Sequence, residues 1–214
     1  MGNVLSDTLH ASRFTQDETF AHILRLRDHR FPHEIASILP GEFFVSPEPM
    51  IVYTVLGSCI SACIRDPIAG VGGMNHFMLP EPKHASHDSW GESTRYGSYA
   101  MESLINEIIK RGGLKSRLEI KLLGAGRIYE GNIDVGAYNA KWVVGYLKSE
   151  GLTTVKTDLG DVFPRKVYYF THSGRVLMKK IEHVKNRTIF ERENEYAEKI
   201  KQREQQPVED VTLF

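Results

Sequence analysis

Only two cysteines, Cys59 and Cys63, occur in the 214 residues of the chain. That is too few for a disulfide framework and fits a reducing compartment. Neither sign of charge is in excess: 27 Lys and Arg face 27 Asp and Glu, for a formal net charge of zero. A nucleic-acid binder would normally carry a basic excess or stripe, so nucleic acid is not an expected partner. The chain has no apolar run of the length, about 18 residues, that a membrane helix needs, so no membrane insertion is expected. The N-terminus lacks the apolar centre of a secretory signal, and a cytoplasmic location follows as the expectation. Met1 to Ser6 fits the short N-myristoylation pattern, which is loose enough to be met by chance.

What is present suits one folded domain with a core of useful size, since 41% of the residues are hydrophobic. Residues 1–39 are polar and irregular, with one short helical candidate at Asp17 to Asp28, and read as an N-terminal arm. The main domain is placed at 40–181, starting from Pro40-Gly41, and 182–214 is a charged C-terminal tail expected to be partly helical. Within the domain, Met50 to Leu56 reads as a strand, as do Ile60 to Ile64 and Gly70 to Met78, the last two joined by an Arg65-Asp66-Pro67 turn. Tyr96, Ala100, Leu104 and Ile108 then recur every four residues, marking a helix that Gly112-Gly113 stops. A strand at Leu118 to Leu123, a helix over Asp134 to Glu150 and a strand at Thr153 to Thr157 follow. The second helix is expected to bury Ala140, Val143, Val144 and Leu147. Strands at Lys166 to Phe170 and Arg175 to Ile181 flank a Thr171 to Gly174 hairpin turn. Strands grouped before and after two helices indicate an α+β fold, with helices on one side of stacked sheets.

Reactive side chains sit inside this apolar frame, in TVLGSCISACIRDPIAGVGGMNHFMLP. Cys59 follows Gly57 and Ser58 at a strand end, where small residues permit a tight bend and leave backbone N–H groups, from Gly57 to Ile60, to hold an oxyanion. A thiol needs a neighbouring base to become an effective nucleophile, and His76 is within reach once the turn folds the two strands together. The plainer reading stays open at this level: a small hydrophobic Cys and a satisfied core His. A zinc site from Cys59, Cys63 and His76, with His84 and His87 nearby, lacks the usual ligand spacing, and no metal or organic cofactor is expected. Gly124-Ala125-Gly126 with Gly131 misplaces the third glycine of a dinucleotide loop and reads as a turn.

The stretch LPGEFFVSPEPMIVYTVLGSCISACIRDPIAGVGGMNHFMLP resembles the signature region of the chemoreceptor glutamine deamidase family, CheD. The likeness continues through STRYGSYAMESLINEIIKRGG, GNIDVGAYNAKWVVGYLKSEGL and DLGDVFPRKVYYFTHSGRVLMKKI, covering about Leu39 to Ile181. This resemblance implies a cysteine amidohydrolase that converts glutamines of methyl-accepting chemotaxis receptors to glutamate, with release of ammonia and tuning of signalling. It implies Cys59 as nucleophile, His76 as its base and Thr54 as third member, with Gly57 and Ser58 as backbone support. Because strand facing reverses with a one-residue slip, the spacing of Thr54 from Cys59 decides whether its hydroxyl faces the site. DLGD places Asp161 where the family commonly has glycine. The family fold is a three-layer β/β/α sandwich resembling the deamidating cytotoxic necrotizing factor toxins. Some members also pair with a CheC-type phosphatase, so a non-catalytic adaptor is the alternative function. Recruitment to membrane receptor arrays through the receptor would follow from either.

Overall fold

Apolar runs become strands and four-residue stripes become helices in the computed structural model of the chain, which describes residues 18–80, 89–128, 134–182 and 187–205. In chain order the strands are β1 (Leu24–Leu26), β2 (Ile35–Ser37), β3 (Phe43–Ser46), β4 (Ile51–Leu56) and β5 (Ile60–Asp66). They continue with β6 (Val71–Asn75), β7 (Glu119–Gly124), β8 (Thr154–Leu159), β9 (Arg165–Phe170) and β10 (Val176–Lys180). The helices are α1 (Ser89–Lys110), α2 (Val135–Ser149) and α3 (Arg187–Gln205). The class is α+β, as the order of elements implied.

Two mixed five-stranded sheets hold the strands: β1-β2-β4-β9-β10 and β3-β6-β5-β7-β8. The β2–β4 and β7–β8 pairs are parallel, and the other pairs are antiparallel. Strand β4 shows the period-2 pattern of a half-buried strand: Val52, Thr54 and Leu56 are buried, while Tyr53 and Val55 are partly open. Strand β5 is buried nearly throughout, because it is covered on both faces. Its odd-numbered residues look toward the first sheet, and its even-numbered apolar residues pack toward α1 and α2, which lie against the second sheet. Gly72 marks the close approach of the two sheets, since a Cβ there would lie 2.4 Å from the Thr171 carbonyl oxygen.

The helix expected over Asp17 to Asp28 is not formed. A single 3-10 turn at Glu18–Phe20 leads into β1, an edge strand paired with β2. A helix this short is marginal in water, and ladder pairing with β2 outweighs its local propensity. Leu24 and Leu26 are exposed in consequence, whereas Phe20 and Ile23 plug the core. Residues 18–39, read as part of an arm, thus contribute two strands and core residues to the body. In α2 the buried set also shifts: Asn139 and Trp142 are buried and Val144 is half exposed, contrary to the expected burial of Val144. Asp134 caps this helix by accepting from the Ala137 N–H at 2.9 Å. The charged tail is helical over α3, as its composition suggested.

Asp66, at the end of β5, is fully buried and organises the neighbouring connections. One carboxylate oxygen accepts from the N–H groups of Ile68 and Ala69, at 2.9 and 3.1 Å. The other accepts from Leu114 N–H and Arg117 Nε, both at 2.8 Å. Removing a buried carboxylate strands all its donors, so Asp66→Ala is expected to cost about 3 kcal/mol or more, measured by urea unfolding. An unchanged unfolding midpoint would refute this role.

Candidate active site

Pairing of β5 with β6 is what brings the two reactive residues together. The ladder runs from Asp66↔Val71 to Cys63↔Met74 and resumes with an Ile60↔Phe77 bridge beyond the strand end. One residue to each side of that bridge, Cys59 lies opposite Met78 and Ser61 opposite His76. Cys59 and His76 are therefore diagonal neighbours on one face, the face turned toward the first sheet. Both are buried, with 0% and 2% of their surface exposed.

The turn before Cys59 is held by its carbonyls. Gly57 O accepts from Gly126 N–H and Cys59 O from Ala125 N–H, each at 2.8 Å. Ser58 O accepts from the Asn139 side chain at 2.9 Å, and the same amide's oxygen accepts from Leu79 N–H at 2.9 Å. With three successive carbonyls turned into the body, the N–H groups of Gly57, Ser58 and Cys59 converge on the opposite side, an anion-binding nest. Ile60 does not join them, contrary to expectation: its N–H is committed to Phe77 O at 2.8 Å in the ladder. Gly124 must be glycine here, because its φ is +115° and a Cβ would lie 2.1 Å from Cys59 O. The Gly124-Ala125-Gly126 turn thus anchors the cysteine loop.

Thr54 comes from the other sheet and faces inward with Val52 and Leu56, without a bulge in β4. Its hydroxyl donates to Ile38 O at 2.9 Å and lies 2.7 Å from His76 Nδ1. A hydroxyl has one proton, so with that proton on Ile38 O it accepts from Nδ1–H. The proton on Nδ1 leaves Nε2 as the basic lone pair, and Nε2 is buried with no hydrogen-bond partner. Thr54 therefore selects the tautomer and fixes the ring.

One further residue enters the site that the sequence reading missed. Glu193, on α3, is 1% exposed and projects into the nest. Its carboxylate accepts from Gly57 N–H at 2.7 Å, Ser58 N–H at 2.9 Å, Ser58 Oγ at 2.7 Å and Cys59 N–H at 3.4 Å. The signal was available: Ile189, Glu193, Tyr196, Ala197 and Ile200 form one helical stripe, and Glu193 is the only charge in it. Donor atoms of Cys59, His76 and Glu193 lie within 4.8 Å of one another, so these three could in principle ligate a metal. Cys63, also buried, shares the face of Cys59 but is not among the three clustered donors, and His84 and His87 lie outside the described residues.

The CheD chemotactic sensory transduction family model matches residues 78–180. A protein of Methylobacillus flagellatus is 48% identical over 177 residues, covering 81% of this chain and 87% of the relative. One from Halorhodospira halophila is 46% identical over 200 residues, covering 91% of each. A third, from Herminiimonas arsenicoxydans, is 45% identical over 191 residues, covering 88% of this chain and 93% of the relative. All three carry the name "Probable chemoreceptor glutamine deamidase CheD". The chain belongs to the CheD family.

Asp161, where the resemblance led to the expectation of glycine, has a φ of +72°, in the left-handed region that glycine tolerates best. Aspartate is among the few other residues that enter it readily, and here its side chain pairs with Lys180 at 2.5 Å and accepts from Val162 N–H at 2.6 Å. Its carbonyl oxygen accepts from Arg127 N–H.

Electrostatically the closed site is neutral at the Cys-His pair. Burial pushes the Cys59 thiol well above its ordinary range, and the Glu193 carboxylate adds to the shift by charge and hydrogen bonding. Burial holds His76 down to about 3. An unfolded histidine titrates near 6.5, so between these values the unfolded chain binds a proton that the folded chain refuses. Stability from this residue is full above about 6.5 and falls as pH drops, by at most about 1.4 kcal/mol per unit. Denaturant unfolding of wild type and His76→Gln at several pH values checks this: the wild type should show the steeper loss on acidification. Parallel pH profiles would contradict a neutral buried His76.

Proposed function

We propose that this chain is a protein-glutamine deamidase acting on chemoreceptors, through a thioester formed on Cys59. The observation that carries the reading is the alignment of a thiol, an imidazole of defined tautomer and a nest of backbone N–H groups within one buried corner. The names of the relatives supply the substrate class.

In the proposed sequence, His76 Nε2 takes the Cys59 proton as the sulfur attacks the carboxamide carbon of a receptor glutamine. The carbonyl oxygen gathers negative charge and is held by the N–H groups of Gly57, Ser58 and Cys59. As the tetrahedral species collapses, the C–N bond breaks and His76 returns the proton to the departing nitrogen, releasing ammonia. Water, deprotonated by His76, then attacks the thioester, freeing glutamate and the thiol. Thr54 takes part through the imidazole: it keeps the proton on Nδ1 and so the lone pair on Nε2. Neither metal nor organic cofactor enters any step. A new negative charge on the receptor would bias signalling.

The finer family features belong to the same reading. They are a three-layer β/β/α likeness to the deamidating cytotoxic necrotizing factor toxins, a cytoplasmic protein brought to receptor arrays by its substrate, and pairing with a CheC-type phosphatase. A pure adaptor function would need the receptor contact but not the thiol. Mass spectrometric mapping of a receptor fragment separates the two: wild type should convert glutamines to glutamates, and Cys59→Ala should convert none. Equal conversion by both would end the enzymatic reading.

Loss of Thr54 should be milder. Thr54→Ala frees the imidazole to adopt the wrong tautomer or orientation, so kcat is expected to fall about tenfold to a hundredfold, with KM little changed. Thr54→Ser, which keeps the hydroxyl, should restore most of the rate. Full turnover by Thr54→Ala would remove this residue from the mechanism.

A further inference from the structure

The mechanism leaves Glu193 unused, although this carboxylate fills the place where the substrate's carbonyl oxygen must bind. It takes both Gly57 and Ser58 N–H groups and reaches Cys59 N–H, all of the nest. With α3 seated, Cys59 and His76 have almost no exposed surface. The carboxylate also raises the thiol pKa, which disfavours the thiolate. A glutamate side chain bound there is chemically the product of glutamine deamidation. Gly57 contributes to the fit, since a Cβ on it would lie 2.9 Å from both Glu193 oxygens.

The seat of α3 is not that of an integral core helix. Its contact stripe is short: Glu193 and Ile200 are buried, while Ile189, Tyr196 and Ala197 are only partly so. A cavity of about 230 Å³ runs beside it, lined by Tyr53, Thr54, His76, Lys166, Ile189 and Glu193. A second of about 480 Å³ separates it from the 39–42 segment and Tyr96. Tyr196 bridges that gap through a hydroxyl contact with Tyr96, and its ring packs on Gly41. The helix therefore closes the site through one charged plug and a few apolar anchors.

We propose that α3 is an autoinhibitory element: Glu193 acts as a product mimic in cis, and a helical receptor segment must displace it to present its glutamine to Cys59. This rests on the deamidase reading of the site and adds its regulation. Glutamine and glutamate are nearly isosteric, so an incoming glutamine can enter where Glu193 leaves, with its carbonyl oxygen on the same N–H groups. As α3 is tethered to the body, it competes at a high effective concentration.

The test uses the full chain with Glu193→Ala, which removes the plug, and Ile200→Asp, which weakens the apolar anchor and leaves the plug intact. Two readouts are compared with wild type: iodoacetamide labelling of Cys59, resolved from Cys63 by peptide mass spectrometry, and kcat/KM on a receptor fragment. Both should rise about tenfold or more in each variant: Glu193→Ala removes the charge-assisted hydrogen bonds to the nest, and Ile200→Asp removes buried apolar contact that holds the helix down. If wild type deamidates while neither variant labels or converts faster, autoinhibition is wrong and the deamidase reading stands. A fall in conversion for Glu193→Ala, with labelling no faster, would likewise overturn it by making Glu193 a helper in catalysis. If labelling accelerates in both variants but no form converts any glutamine, occlusion of Cys59 by α3 stands and the deamidase reading fails.

Discussion

Three consecutive carbonyls, at Gly57, Ser58 and Cys59, are turned into the protein body, and the geometry of the site depends on that inversion. An extended chain alternates its carbonyls, so pointing three to one side requires donors waiting there. Gly126, Ala125 and Asn139 supply them, from the turn after β7 and from α2. The consequence is that three N–H groups face the opposite way with no carbonyl between them, beside a thiol. Ala125, with a φ of +58°, is one of only two non-glycine residues in the left-handed region among the described residues. It stands next to the nest, where such backbone strain is tolerated because several hydrogen bonds over-determine the conformation.

The second dependence runs between the sheets. Thr54 belongs to β4 of one sheet and His76 follows β6 of the other, so their 2.7 Å contact is also a tie between layers. Because Ile38 O takes the hydroxyl proton, the direction of the tie is set, and with it the side of the imidazole that keeps a lone pair. Ile38 itself lies in the segment read as an arm. Its carbonyl nevertheless decides a proton position at the core of the site, which shows why residues 18–39 cannot be treated as an appendage.

Much of the site was legible as residue types and little of it as geometry. Cys59 and His76 stood out because reactive side chains interrupted an apolar hairpin, and the β5–β6 register then placed them as diagonal neighbours. Thr54 could not be assigned from spacing, because it lies on a different sheet and its facing depends on the absence of a bulge. Asn139 carried no expectation from the helical pattern, and it is fully buried as a hydrogen-bond bracket. Glu193 was hidden in a charged tail where one acid among many carries no signal until the apolar stripe around it is drawn. The short helix expected at Asp17 to Asp28 failed for the opposite reason: its apolar spacing was real, but Phe20 and Ile23 are buried in the core from a 3-10 turn while β1 pairs with β2.

By itself the sequence determined the α+β class, most strands and helices of the central domain, the family and the two residues proposed at the centre of the chemistry. The class and the elements follow from local pattern, which needs only neighbours along the chain; the family and the two residues came from the resemblance to CheD. The tertiary structure alone decided which N–H groups converge on the nest, which nitrogen of His76 is basic and what fills the nest. Those depend on donors and acceptors brought together from residues 38, 54, 125, 139 and 193, and hydrogen bonding between such distant segments exists only once both sheets and α3 are in place.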